Sequence, residues 1–323
     1  MAVPTNTRET YGAVGIREDL SDIIYNISPT DTPFLNGVGK GTASNTLFEW
    51  QTDDLDAAAA NRRAEGDDPT SIAVSEPTRL SNYTQISSKT VQSSGTAEAV
   101  DFAGRKSTQA YQLAKRAKEI KRDMETMLLD TTVKAAGSSG SARATGAYQS
   151  WVGTGSAGTS NVLDGDGTGL TNAADGSSVA TTVTAGAISL DLINSVIKRI
   201  WDLGGSPDTI MTSGTKKQAI SALGSSVVAD LQTNTSGAVP ATAINAVDVL
   251  VTDFGTFKLV PNRFCTESCA YIVDFDMWSV DYLRPFKTET LAKTGDSIKQ
   301  MMIAEYGLRA KNGNGSGLIM NLS

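Results

Sequence analysis

Three carboxylates set the first chemical question. In Asp164-Gly165-Asp166-Gly167-Thr168-Gly169, followed by Asp175, they fall at positions one, three and twelve of a loop with glycine at six. That is the ligand spacing of a calcium-binding loop. Position five is Thr168, position twelve is a short aspartate, and neither flank has a helical pattern. A solvated turn accounts for the spacing, and calcium held by Asp164, Asp166 and Asp175 is the alternative. Close by, Gly153-Thr154-Gly155-Ser156-Ala157-Gly158 matches a dinucleotide-binding turn. Such a turn holds pyrophosphate at the start of a helix. Here Asn161, Gly165 and Gly167 follow where the helix must begin, so no cofactor is expected. Gly37-Val38-Gly39-Lys40-Gly41-Thr42 imitates a phosphate loop, but Phe34 stands where the first glycine is needed and Gly41 follows Lys40.

Carboxylate pairs for glycoside hydrolysis would have to come from Asp274, Asp276, Asp281 and Glu305. Nothing in the sequence brings two of them to a cleft. The chain has no histidine, which removes Ser-His-Asp and Cys-His nucleophilic sites and histidine-ligated zinc. Cys265 and Cys269 lack the Cys-x-x-Cys redox spacing, and two thiols alone do not complete a structural zinc site. They read as free, partly buried thiols. No enzymatic activity is expected.

The elements that would position any site follow from composition and pattern. The 323 residues suffice for about two domains, or for one with large excursions. Lys and Arg number 28 against 35 Asp and Glu, a net charge of -7, which argues against a polybasic nucleic-acid binder. No apolar run approaches the roughly 20 residues needed to cross a bilayer. The N-terminal Met1-Ala2-Val3-Pro4-Thr5-Asn6 lacks the charged and apolar regions of a secretory signal, so a soluble protein made in the cytoplasm is expected.

Residues 1–40 read as an arm, with a short helix over 17–27 carrying Leu20, Ile23, Ile24 and Ile27 on one face and Ser28-Pro29 ending it. Residues 41–95 read as a long polar hairpin: Leu47-Phe48-Glu49-Trp50-Gln51-Thr52 goes out and 83–94 returns. So few apolar residues make two strands marginal in water, so a neighbour must support them. A long helix is expected over 98–136, with Ala110, Leu113, Ala117, Ile120, Met124 and Met127 at helical spacing and Gly137 as the stop. Its Lys115, Arg116, Lys118, Lys121 and Arg122 read as a solvated face interleaved with Glu119, Asp123 and Glu125, or as a surface toward nucleic acid. In 137–186, Gly, Ser, Thr and Ala fill 35 of 50 positions, and a surface loop or weakly twisted strands are expected for want of apolar area. Ser189 caps a helix with Ile193, Val196, Ile197, Ile200 and Trp201, closed by Gly204-Gly205; a strand over 209–212 and a second helix ending at Gly224 complete a small α/β unit. From Val247 onward the pattern is β, ending in a long strand over 298–309 and a short one at Leu318-Ile319-Met320.

This order of parts resembles the tailed-phage major capsid proteins of the Hong Kong 97-type fold. The resemblance covers nearly the whole chain. It is carried by Ser28-Pro29-Thr30-Asp31-Thr32-Pro33-Phe34, Ser94-Gly95-Thr96, Thr252-Asp253-Phe254-Gly255, Leu283-Arg284-Pro285, Leu291-Ala292-Lys293-Thr294-Gly295-Asp296 and Glu305-Tyr306, in that order. It implies an α+β fold of four parts: an N-arm (1–40), an E-loop (41–95), a P-domain (96–186, with the spine helix, and 270–323, with the C-terminal strands) and an A-domain (187–269). It implies self-assembly into pentamers and hexamers of an icosahedral head around double-stranded DNA. Implied partners are the portal and, in some systems, scaffolding and cement proteins, with no membrane, cofactor or metal. Assembly would take place in the host bacterial cytoplasm. Ile23, Ile24, Ile27, Phe34, Phe48 and Trp50 are the expected inter-subunit anchors. Some members join neighbours covalently through a lysine and an asparagine; no motif here fixes such a pair, and no such bond is expected. An encapsulin-like cargo compartment is the alternative within the fold. An extracellular surface or adhesin protein is the alternative outside it.

Overall fold

The computed structural model describes residues 28–323, except 56, 57, 69–73, 75, 103–106, 157 and 233–247, and for 224–232 the backbone alone. The helix expected over 17–27, with Ile23, Ile24 and Ile27, lies outside the described residues. In chain order the elements are α1 (Pro33–Gly37), β1 (Gly39–Thr42), β2 (Leu47–Thr52), β3 (Thr78–Tyr83), β4 (Gln85–Ser94), α2 (Gly95–Ala99), α3 (Thr108–Leu129), β5 (Val162–Leu163), α4 (Leu190–Asp202), β6 (Thr209–Thr212), α5 (Gly214–Gln232), β7 (Val249–Thr252), β8 (Gly255–Pro261), β9 (Ala270–Val273), β10 (Trp278–Thr290), β11 (Ser297–Ala310) and β12 (Gly317–Ile319). They form a four-stranded sheet in the order β1-β10-β11-β4, a six-stranded sheet in the order β5-β12-β9-β6-β8-β7, and the two-stranded ribbon β2-β3.

The expected hairpin over 41–95 divides. Only β2 and β3 pair with each other, Leu47 opposite Tyr83 and Thr52 opposite Thr78. The later segment β4, expected as the returning strand, lies antiparallel to β11, with Gln85 opposite Tyr306 and Ser94 opposite Ser297. The alternation of Val91 and Ser93 inward with Gln92 and Ser94 outward suits a strand covered on one face. Thus the true ribbon is shorter than the pattern implied, and 53–77 link its two strands.

The long helix is also shorter than expected. α3 has 22 residues, about 33 Å at 1.5 Å per residue. Its N-cap is Ser107, whose hydroxyl accepts from the Ala110 N–H. A separate short helix, α2, precedes it and is capped by Ser94. At the other end Asp130 turns extended and Thr131-Thr132 follow, residue types whose side chains compete with or crowd a helical backbone. The last carbonyl, on Leu129, accepts from the Tyr271 hydroxyl at 2.5 Å and the Gln149 amide at 3.2 Å. These contacts satisfy groups that another helical turn would need. Gly137, the expected stop, sits eight residues further on at φ +72 in a tight turn where Ser138 and Ser141 bond each other.

The largest correction concerns 137–186. This tract is not a surface loop: Tyr148, Trp151, Val152, Val162, Leu163 and Ser150 are all buried. Tyr148 stacks on Trp278 with centroids 4.5 Å apart, and its hydroxyl donates to the carbonyls of Ile272 and Gly317. Small residues let backbone meet backbone. A Cβ on Gly186 would lie 2.0 Å from the Gly165 carbonyl oxygen, and one on Gly313 would lie 2.0 Å from that of Trp151. Low apolar content did not exclude burial, because close packing of main chain and a few large rings fills the space instead.

In the α/β unit Ser189 caps α4 as expected, accepting from the Leu192 N–H. Ile193, Val196, Ile197 and Ile200 are buried, but Trp201 is 60% exposed. α4 ends at Asp202, and Gly204, φ +87, turns the chain just beyond the C-cap Leu203. α5 runs through Gly224 to Gln232 rather than stopping there; a single glycine costs a helix about 1 kcal/mol and does not by itself end it.

Candidate functional site

Two segments are joined to this body at rigid roots. The first root is at α1. Pro33 opens that helix, where its missing N–H costs nothing. The next two N–H groups, of Phe34 and Leu35, donate to the two oxygens of the Glu125 carboxylate, both at 2.8 Å. The Asn262 amide adds a third hydrogen bond at 2.7 Å. Burial pushes the Glu125 carboxyl above the usual carboxylate range, and the bonds from Leu35, Phe34 and Asn262 pull against it. Glu125 sits near the C-terminal end of α3, four residues before Leu129, so α1 is fixed to the longest helix at one point.

The second root is at the ribbon. Asn82, fully buried, donates its amide to the Leu308 carbonyl at 2.6 Å and accepts from the Gly146 N–H at 2.9 Å. Phe48 packs on Gly307, where a Cβ would lie 2.4 Å from its ring. Phe48 also stacks with Trp50, and the Arg309 guanidinium lies over both rings at 5.6 and 5.7 Å. Arg309 in turn pairs with the buried Asp281 at 2.5 Å. Beside this cluster a cleft of about 410 Å³ is lined by β1, Trp50, Gln51, Asp281 and Lys311. β1 is the edge of its sheet, and the indole N–H of Trp50 and the Nε of Arg309 have no hydrogen-bond partner.

Between the roots lies a charged junction. Glu305 on β11 is buried and accepts from Arg143 at 2.6 Å, Arg284 at 2.7 Å and the Thr84 hydroxyl at 2.9 Å. The residues Leu283-Arg284-Pro285 and Glu305-Tyr306, noticed separately in the sequence, meet here at an irregularity in the β10–β11 register. Two guanidinium groups on one buried carboxylate compensate its desolvation.

Other candidates behave differently. Asp164 is buried and accepts from the N–H groups of Gly165, Val183 and Thr184. Asp166 accepts from Thr168, and Asp175 from Ser177. The three carboxylates each close a different backbone turn, and among the described residues no three metal-ligating side chains converge. Asp281 and Glu305 are each held by arginine, and Asp274 caps the turn before β10 by accepting from the Asp276 N–H. Phe34 is completely buried within its own chain against Tyr148 and Trp278, and Phe48 is 6% exposed, so neither offers a neighbour its ring. The aromatic pattern marked them as anchors, but they hold the roots. Trp50 is half-buried and packs on Trp151. Cys265 and Cys269 are free thiols, and burial pushes them up to about 12 and about 11. No helix among the described residues is long and apolar enough to cross a membrane.

Sequence reasoning missed the apolar groups that face outward. Leu55 is 99% and Val74 91% exposed on the segment between β2 and β3. Elsewhere Trp201 meets Phe254 of the β7–β8 turn with tilted rings 5.8 Å apart, and Val249 and Val251 of β7 are 51% and 75% exposed. The signal for the second patch was present, since Trp201 lies one step off the stripe formed by Ile193, Val196, Ile197 and Ile200.

A spine helix, two sheets that divide the C-terminal strands between them, a ribbon rooted on one sheet and apolar groups left facing outward define a shell-forming coat protein of the Hong Kong 97-type fold. The cyanophage A-1(L) capsid superposes with a TM-score of 0.70 over 95% of this chain and 97% of that one, at 11% identity. The SrpI encapsulin of Synechococcus elongatus PCC 7942 shares the fold at a TM-score of 0.51 and 9% identity, over 93% of each chain. In sequence, residues 3–323 match the SU10 major capsid protein model, and the chain belongs to that family. The major capsid protein of Escherichia phage Phieco32 is 28% identical over 96% of this chain and 95% of its own length. The protein is thus a structural component of a phage head, not an enzyme. Fold alone is shared with an encapsulin; membership of the capsid family separates the two readings.

Proposed function

We propose that copies of this chain close an icosahedral head as pentamers and hexamers, and that the ribbon and the N-terminal residues act as straps across neighbouring copies. The observation that carries this is the ribbon itself: β2 and β3 pair with each other alone, their base is locked by Asn82 and Phe48, and Leu55 and Val74 beyond them stand in water. Burying a leucine or valine is worth roughly 1.5–3 kcal/mol. A small gain per contact, repeated by several neighbours in a closed shell, becomes strong through multivalency. The cleft at the open edge of β1 suits an extended segment of a second copy that pairs with the free backbone groups of that edge.

In this reading 1–40 is the N-arm, 41–95 contains the E-loop, 96–186 and 270–323 make the P-domain, and 187–269 the A-domain, with Trp201 and Phe254 where copies meet around an axis. The head encloses double-stranded DNA, carries a portal at one vertex, assembles in the host bacterial cytoplasm, and accepts scaffolding or cement proteins where these are encoded. Electron microscopy of the expressed protein tests the proposal. The parent forms shells, and Leu55→Asp with Val74→Asp gives folded, dispersed protein. Shells of normal yield from that variant would overturn the strap role of the ribbon.

A further inference from the structure

The cations of α3 do not sit among the acids that punctuate them in sequence. Glu119 pairs with Arg116 at 2.6 Å and with Lys89 at 3.5 Å; Asp123 pairs with Lys89 at 2.8 Å. Glu125 is buried at the root of α1. All three acids are therefore engaged away from Lys115, Lys118, Lys121 and Arg122. Those four stand at i, i+3, i+6 and i+7 on a face where the three lysines are exposed. Among the described residues none of the four has an ion-pair partner, and the Arg122 Nε is buried without a hydrogen bond while its guanidinium lies over Phe264 at 5.5 Å. Lys40 extends the stripe, sharing a hollow with Lys121. Like charges three and four apart weaken a helix. Their concentration in a protein of net charge -7 calls for an anion from outside.

From this geometry we infer that the stripe Lys40, Lys115, Lys118, Lys121 and Arg122 contacts the phosphodiester backbone of double-stranded DNA, and that this face of α3 is the inner face of the shell. The inference rests on the reading of a genome-enclosing head. A protein partner fits less well. Lysine is depleted at the centres of protein interfaces, which rely on aromatic and aliphatic anchors. The groove along the stripe measures only about 110 Å³, with Ser28, Thr30 and Tyr111 on its walls. Ammonium groups on flexible stems suit phosphate contacts that carry no sequence information.

The test titrates full-length protein with a fluorescent DNA duplex of random sequence over a series of salt concentrations. Binding of the parent falls linearly on a log–log plot. In K115Q/K118Q/K121Q/R122Q the slope becomes shallower by about 3.6, since each of the four phosphate contacts contributes about 0.9. K115R/K118R/K121R keeps the parental slope, and K198Q/K258Q, on α4 and β8, leaves it unchanged. An unaltered slope in the glutamine variant overturns the inference. So does a glutamine variant that loses shells under the microscope while binding duplex as the parent does, because the stripe would then serve a neighbouring copy. A parent that binds duplex in a stripe-dependent way but forms no shells would instead overturn the proposed function and leave this contact standing.

Discussion

The Glu125 carboxylate holds the Phe34 N–H at 2.8 Å across 91 residues of sequence, and its other oxygen holds Leu35. A hydrogen bond to a charged partner contributes about 1.5–3 kcal/mol, and a buried donor left alone costs a similar amount. Glu125→Ala should lower stability by about 3 kcal/mol on that basis. Glu125→Gln should recover only part, because an amide N–H₂ would face a backbone N–H. Denaturant unfolding of the parent and both variants reads the difference; equal midpoints for all three would mean that the root is held by packing alone.

Asp164 gives the protein an acid-sensitive joint. Burial works to raise its carboxyl, but the N–H groups of Thr184, Val183 and Gly165, with Asn321, outweigh it and hold the group below the ordinary value of 3.8. A carboxyl depressed by folding stabilises fully above its unfolded value and loses that contribution as the pH falls through the folded one. The parent should therefore lose stability below about pH 4 more steeply than Asp164→Asn, whose stability is lower at neutral pH. Thermal melting from pH 7 to pH 3 would show the two curves converging; parallel curves would remove Asp164 from the account.

Tyr148 and Trp151 test whether the glycine- and serine-rich tract belongs to the core. Tyr148→Phe keeps the ring but leaves the carbonyls of Ile272 and Gly317 without their donor, at a cost of about 1–2 kcal/mol. Trp151→Ala opens a cavity worth about 3–5 kcal/mol. A surface loop would tolerate both, so unchanged denaturation midpoints would contradict the packing described for this segment.

The thiols of Cys265 and Cys269, pushed up to about 12 and about 11 by burial, are protonated at neutral pH. Since the thiolate is the reactive form, alkylation of native protein at pH 7.5 should be slow and should become rapid only in denaturant. Mass spectrometry of timed iodoacetamide reactions measures this; fast labelling of Cys265 in the folded state would place it in water.

Local pattern was a good guide where local forces act. Ser189 and Gly204 mark α4, and alternating valines mark β7, because capping, backbone conformation and strand alternation depend on neighbours in sequence. It failed where long-range contacts decide. Leu129 ends α3 because Tyr271 and Gln149 take its carbonyl, and β4 leaves the ribbon because β11 offers a better-covered edge. Phe34 and Phe48 have the composition of anchors, yet whether an aromatic ring faces inward or outward depends on elements hundreds of residues away.

By itself, the sequence determined the kind of protein: no histidine chemistry, an acidic chain, a basic helix, a ribbon too polar to stand alone, and ordered segments resembling a phage coat. Only the tertiary structure decided which groups are spent inside and which remain for neighbours. It turned Glu119, Asp123 and Glu125 away from the lysines of α3, sank Tyr148 and Trp151, and left Leu55, Val74 and Trp201 in water. The physical reason is that burial and charge compensation are properties of what lies nearby in space, and spacing along the chain reports this only within a few residues.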